Sequence, residues 1–216
     1  MSSADTDIRE PIVDTAVELA EESSWEAVRL HDIASRLDIT LDDIRRHFRE
    51  KEDIVDAWFD RADQAMLAVS KSPGFHDEPP RLRLQRLILT WLDALASHRR
   101  VTRQMIYNKL EPGHLHIQIP GLLRISRTVQ WFREAALRDA IYLRRALEET
   151  GLTTIYLLTF FCWMHDDSPG SRRTRQFLER RLLQAERLDR LVYGFCGGCG
   201  HRQTGNADTT AHTPAR

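Results

Sequence analysis

The chain has little with which to cross-link or anchor itself. Its three cysteines in 216 residues, one inside an apolar run and two in a Gly-rich end segment, do not make a disulfide framework. No apolar run reaches the roughly 18 residues that suggest a membrane span. The longest candidate, residues 155–164, includes Thr159 and stops at His165, Asp166 and Asp167. The opening MSSADTDIREP has neither a basic n-region nor an apolar h-region, so the chain reads as cytoplasmic. Neither a phosphate-cradling Gly loop nor a nucleophile elbow occurs, so no catalytic residue and no cofactor is assigned, and an enzyme is the least supported class. Convincing strand alternation is absent as well.

What is present is helical periodicity, with 42% hydrophobic residues to build a core. Leu84, Leu87, Ile88, Trp91, Leu92 and Leu95 form one continuous stripe. Before it, Ile12, Ala16, Leu19 and Ala20 predict a first helix, Ile33 and Leu37 a short second, and Ile44 and Phe48 a third. Ile54, Val55, Trp58, Phe59, Ala62, Met66 and Val69 predict a longer fourth. KSPGFHDEPP, residues 71–80, then breaks the pattern with three prolines and a glycine. Further helices are expected over about 80–98, 99–110, 120–148, 152–166 and 171–193. The fold class is all-α, with a head at 1–70 that includes the linking fourth helix and a helical body at 80–193. The last stretch, 194–216, has little to bury and is expected to be a disordered tail.

Three short helices followed by a longer one make the arrangement of a helix-turn-helix domain, whose helix after the turn lies in the major groove. In that helix Thr40 is placed to cap the start while Asp43 reaches back, a capping-box pattern ahead of Ile44. HDIASRLDIT, with the small Ala34, and HFREKEDIV carry a resemblance to the amino-terminal domain of the TetR family of regulators over residues 8–60. The resemblance implies an operator-binding homodimer with DNA contacts at Thr40, Leu41, Asp42, Asp43, Arg45, Arg46, His47 and Lys51. Asp42 and Asp43 stand where the family usually has small or hydroxyl residues, and Arg45 where it usually has an aromatic. Ser24 replaces a usual glycine and Arg29 a usual capping hydroxyl.

Charge runs against that implication. Residues 1–70 hold 18 acidic and 8 basic residues, net −10, and the remainder 14 acidic and 23 basic, net +9. DNA affinity rests largely on neutralising phosphates, and the supposed reading domain is the acidic half. Arg45, Arg46, His47, Arg49 and Lys51 cluster at one end of the motif and offer a local basic edge. Asp42 and Asp43 suit a helix start through the helix dipole, and an aspartate also accepts a hydrogen bond from cytosine in the groove.

FFCWMHDDSPGSRRTRQFLERRL, residues 160–182, resembles the carboxy-terminal region of the TetR-fold lipid-binding accessory proteins of ubiquinone biosynthesis, which implies the alternative of a lipid binder that does not read DNA. The run 155–164 is apolar on every side, so it needs protein or a partner chain around it. Two such helices from each of two subunits would form a four-helix interface. Trp91, Leu95, Met105, Tyr107, Trp131, Phe132, Tyr142 and Phe160 are candidates to line a pocket for a small apolar ligand or lipid, against the alternative that they are simply core. Cys196, Cys199 and His201 have zinc-knuckle spacing but supply three of the four ligands a closed site needs, so no metal is assigned.

Overall fold

The computed structural model describes residues 3–110, 127–136 and 143–197, and every regular element among them is helical. In chain order these are α1 (Ser3–Glu22), α2 (Leu30–Leu37), α3 (Leu41–His47), α4 (Lys51–Val69), α5 (Pro80–Ala94), α6 (Arg99–Leu110), α7 (127–135), α8 (Leu143–Met164) and α9 (Arg172–Gly197). No helix among the described residues is long and apolar enough to cross a membrane.

The head closes around Ile12, Val13, Ala16 and Val17 of α1, Ile33 and Ala34 of α2, Ile44 of α3, and Phe48 just after it. Trp25 and Val28 from the α1–α2 connection complete this layer. Each large apolar side chain buried here contributes roughly 1.5–3 kcal/mol. Asp38 ends α2 at φ +54°, a left-handed position that Asp tolerates better than most residues, and the Ile39 amide donates back to the Ala34 carbonyl at 3.0 Å. That reversal sets the angle at which α3 leaves α2.

Arg29 precedes α2 in extended conformation, and its amide donates to Asp32 Oδ2 at 3.3 Å. The Asp32 amide, which a capping hydroxyl would take, donates instead to the Arg29 carbonyl at 3.0 Å. At the start of α4, Asp53 Oδ2 accepts from the Arg49 and Glu50 amides at 2.8 and 3.2 Å.

Beyond the head, α4 packs on α5, α5 on α8 and α9, and α8 on α9. Phe59, Trp91, Phe132, Tyr156, Phe160 and Trp163 form a connected aromatic cluster with ring centroids 5.4–6.4 Å apart. Such edge and offset pairs add to the gain from burial.

Three boundaries differ from the sequence expectation. The stripe expected over 80–98 ends as α-helix at Ala94 and tightens into a 3-10 turn, Ala96–His98. The helix expected over 120–148 is interrupted, because Ala136 lies in a turn; 120–126 and 137–142 lie outside the described residues. No glycine or proline marks that change, so periodicity alone carries across it. The break expected between 148 and 152 is absent, since α8 runs through Gly151. A helical glycine costs about 1 kcal/mol relative to alanine, less than the burial of Leu152 and Tyr156 returns. At the far end α9 continues to Gly197, and 198–216 lie outside the described residues.

The α8–α9 corner is held by Asp166, which is 2% exposed. Its Oδ1 accepts from the Ser168 amide at 2.9 Å and hydroxyl at 2.5 Å, and its Oδ2 from the Thr174 amide at 2.8 Å and hydroxyl at 2.7 Å. Burial alone would favour the neutral acid, but these four donors prevail and hold the carboxyl far below the usual carboxylate range. Arg99 of α6 donates to the Asp166 carbonyl and, at 2.6 Å, to Ser171 Oγ.

Asp166→Ala leaves buried donors unpaired and is expected to cost about 3 kcal/mol, lowering Tm by roughly 6–12 °C. Because ionisation is favoured in the folded state, this stabilisation is present above about pH 4 and is lost as pH falls below it. Urea denaturation at pH 7 and pH 3 should therefore show the wild type losing more stability than Asp166→Asn.

Candidate functional site

The helix after the turn is specified locally. Thr40 Oγ1 accepts from the Asp43 amide at 3.2 Å, while Asp43 Oδ2 accepts from the Thr40 amide at 2.9 Å and from its hydroxyl at 2.6 Å. These bonds from Thr40 hold the Asp43 carboxyl below its ordinary range. Asp43 is thus committed to the cap. Asp42 takes no part in it and keeps 56% of its side chain exposed.

Asp42 instead gathers the arginines one turn on. Arg46 Nη2 donates to Asp42 Oδ2 at 2.9 Å and Arg46 Nη1 to Asp43 Oδ1 at 3.1 Å, while Arg45 Nε stands 3.5 Å from Asp42 Oδ1. Both arginines remain open to solvent, with side chains 77% exposed at Arg45 and 65% at Arg46. Ion pairs this exposed are worth little and exchange readily for other partners. Leu41 is also exposed, and His47 is half-buried.

Lys51 departs from the group. Its ammonium donates to the carbonyls of Trp25 and Glu26 and lies 4.7 Å from the Trp25 ring centroid. Burial pushes its pKa down. This lysine ties α4 to the α1–α2 connection, and it has left the cluster that the sequence suggested.

The pocket candidates separate into three groups. Trp91, Phe132 and Phe160 meet in the aromatic cluster, with Leu95 and Met105 buried in the same continuous core. Tyr107 is exposed and hydrogen-bonded to His165 Nε2 at 2.9 Å, and Trp131 is 44% exposed. Tyr142 lies outside the described residues. So do Cys199 and His201; Cys196 falls within α9. Among the described residues no three His, Cys, Asp or Glu side chains gather as a metal site.

Sequence reasoning missed a polar centre inside the trunk. Asp63 of α4 accepts from Trp91 Nε1 at 2.7 Å and from the Thr128 hydroxyl at 3.3 Å, with all three side chains buried. Its position between Ala62 and Met66 on the buried stripe was the available signal. Also missed was the set of ties from α6 and the 3-10 turn before it to the rest of the molecule. Gln104 accepts from the Trp25 amide at 2.8 Å, Arg100 and His98 meet Glu21, and Thr102 accepts from Trp58 Nε1 at 3.0 Å.

These placements separate holding residues from available ones. Lys51→Met should lower Tm by about 3–6 °C through loss of its carbonyl partners. Arg46→Ala should leave Tm within about 1 °C of wild type, as fits an exposed pair. Differential scanning fluorimetry on the two variants checks both.

A family model described as COQ9 matches residues 140–189. The crystal structure of the TetR transcriptional regulator from Nitrosomonas europaea ATCC 19718 aligns with a TM-score of 0.75 at 59% identity, over 83% of this chain and 98% of that one. A TetR transcriptional regulator from Rhodococcus sp. RHA1 shares the fold at a TM-score of 0.64 and 18% identity, over 85% of this chain and 97% of that one. No curated protein matches. With a 59% identical relative covered almost end to end, the chain belongs to the TetR family of transcriptional regulators.

Proposed function

We propose that this chain is a DNA-binding transcriptional regulator that acts in the cytoplasm as a homodimer and responds to a small apolar ligand. In this reading residues 1–70 meet the operator, while 80–193 hold the ligand and the dimer interface. The observation that carries the proposal is the exposure of Arg45 and Arg46 on a helix whose start is capped and whose inner face is locked by Ile44. Had these arginines been folded inward, the head could not meet DNA.

The dimer is supported by an apolar surface that a single chain leaves in water. On α8, Leu157, Leu158 and Phe161 are exposed, Phe161 by 58%, and on α9 Leu188 and Leu191 are exposed by 61% and 66%. Large apolar surface of this kind marks an interaction site, and a two-fold pairing covers the same patch on both subunits. The opposite side of α8 faces the core through Tyr156, Phe160 and Trp163. The all-round apolar run thus serves two contacts.

A ligand seated among Trp91, Leu95, Met105, Phe132 and Phe160 would bear on α4 through the stacked Phe59–Trp91 pair and the Asp63–Trp91 bond. It would bear on α6 through Met105. Both helices hold the head, so a ligand favouring one arrangement of them shifts the spacing of two α3 helices away from half-sites one DNA turn apart.

A second reading, a lipid-binding accessory protein without DNA readout, is favoured by the COQ9 match at 140–189 and by the net charge of −10 over residues 1–70.

Binding to a random duplex as salt is raised from 50 to 200 mM separates the two. A regulator should bind at low salt and weaken steeply as salt rises. A lipid binder should leave the duplex free at every salt and carry a hydrophobic ligand visible by native mass spectrometry. Phe161→Asp places a charge in the proposed interface, and analytical ultracentrifugation should report a monomer.

A further inference from the structure

We infer that Asp42 and Arg46 act on DNA as one donor–acceptor couple that selects a G·C base pair in each half-site. The inference rests on the DNA-reading role proposed above and adds to it the base pair that the third helix prefers. Four observations lead there. Asp43 is occupied by the Thr40 cap, whereas Asp42 makes no cap bond, is 56% exposed and stands among Arg45 and Arg46. Arg46 lies one turn beyond Asp42, bonded to it at 2.9 Å and itself 65% exposed. Two acids and two arginines between Asp42 and Arg46 cancel, so this face has little net charge to offer phosphates. Lys51, the lysine at the end of the motif, is turned inward against Trp25.

The chemistry follows from counting donors and acceptors. A guanidinium carries five N–H groups, and the two bonds to Asp42 and Asp43 leave three. The major-groove edge of a G·C pair presents two acceptors, guanine N7 and O6, beside one donor, the cytosine amino group. Arginine supplies donors for the first two, and the carboxylate beside it accepts from the third. An A·T pair read in the same frame sets thymine O4 and its methyl against the carboxylate, where an acceptor meets an acceptor. Because Asp42 and Arg46 remain paired while they read, neither charge is left uncompensated in the groove. An acidic residue on a reading helix is then a device against the wrong base, at some expense of affinity for DNA in general.

Selection from a randomised duplex pool tests this on the full chain, followed by titration of the chosen site. Asp42→Ala should melt with the wild type, since it leaves the cap intact. The wild type is expected to enrich a site with an invariant G·C pair in each half, and changing that pair to A·T should weaken binding about tenfold or more. In Asp42→Ala that discrimination should fall to about threefold or less, and Arg46→Ala should lose the preferred base pair as well. The inference is overturned if the wild type selects half-sites lacking an invariant G·C pair. It is overturned equally if Asp42→Ala keeps the wild-type preference or merely binds every duplex more tightly, with DNA reading itself left standing in both cases. If the wild type binds no duplex even at 50 mM salt, the DNA-reading proposal fails and takes the inference with it.

Discussion

Helix α4 is buried against two different sets of partners, and this shared burial constrains everything else. Its first half, through Ile54, Val55 and Trp58, closes the head. Its second half, through Phe59, Ala62, Asp63 and Met66, enters the trunk. Trp58 also donates to Thr102 of α6, while Arg61 pairs with Glu10 and Asp14 of α1. The head therefore cannot turn on the trunk without disturbing a packed core, and cores of this density shift between discrete arrangements more readily than they deform smoothly. A ligand acting on the trunk would acquire leverage on the head by this route.

The second constraint is electrostatic. An acidic head would be a poor phosphate binder if its charges were spread evenly, but the structure sorts them by task. Asp32, Asp43 and Asp53 each accept from a backbone amide at a helix start, where a negative charge also meets the positive end of the helix dipole. Glu21, Glu10 and Asp14 are spent on arginines of α6 and α4. These acids hold the head together and to the trunk, although only the Glu21–Arg100 pair sets a cation from outside residues 1–70 against the net −10. What remains near the reading face is Asp42, and its neighbours are cations.

The legible features were those set by short-range rules. The box between Thr40 and Asp43 depends on two residues three apart, and the stripe Leu84 to Leu95 depends on helical repeat alone. The DDSPGS segment stood out by composition, though the role of Asp166 as acceptor for Ser168 and Thr174 needed the corner to be closed. The poorly legible features were those in which a distant partner changes the meaning of a residue. Lys51 reads as a phosphate contact beside Arg49, and becomes a structural tie only because the carbonyl of Trp25, 26 positions earlier, arrives at its ammonium. Asp63 falls on the stripe with Ala62 and Met66, but its partners come into view only when Trp91 and Thr128 close over it.

The sequence by itself determined an all-helical chain, the turn before the third helix and the acid–base division between its two parts, because each follows from local periodicity, capping chemistry or a count of charges. Only the tertiary structure decided that Lys51 turns in against Trp25, that Asp63 lies beneath Trp91 and Thr128, and which side of α8 is left bare. Those outcomes depend on contacts between residues tens of positions apart, whose distances are set by how the helices pack and by nothing within any one of them.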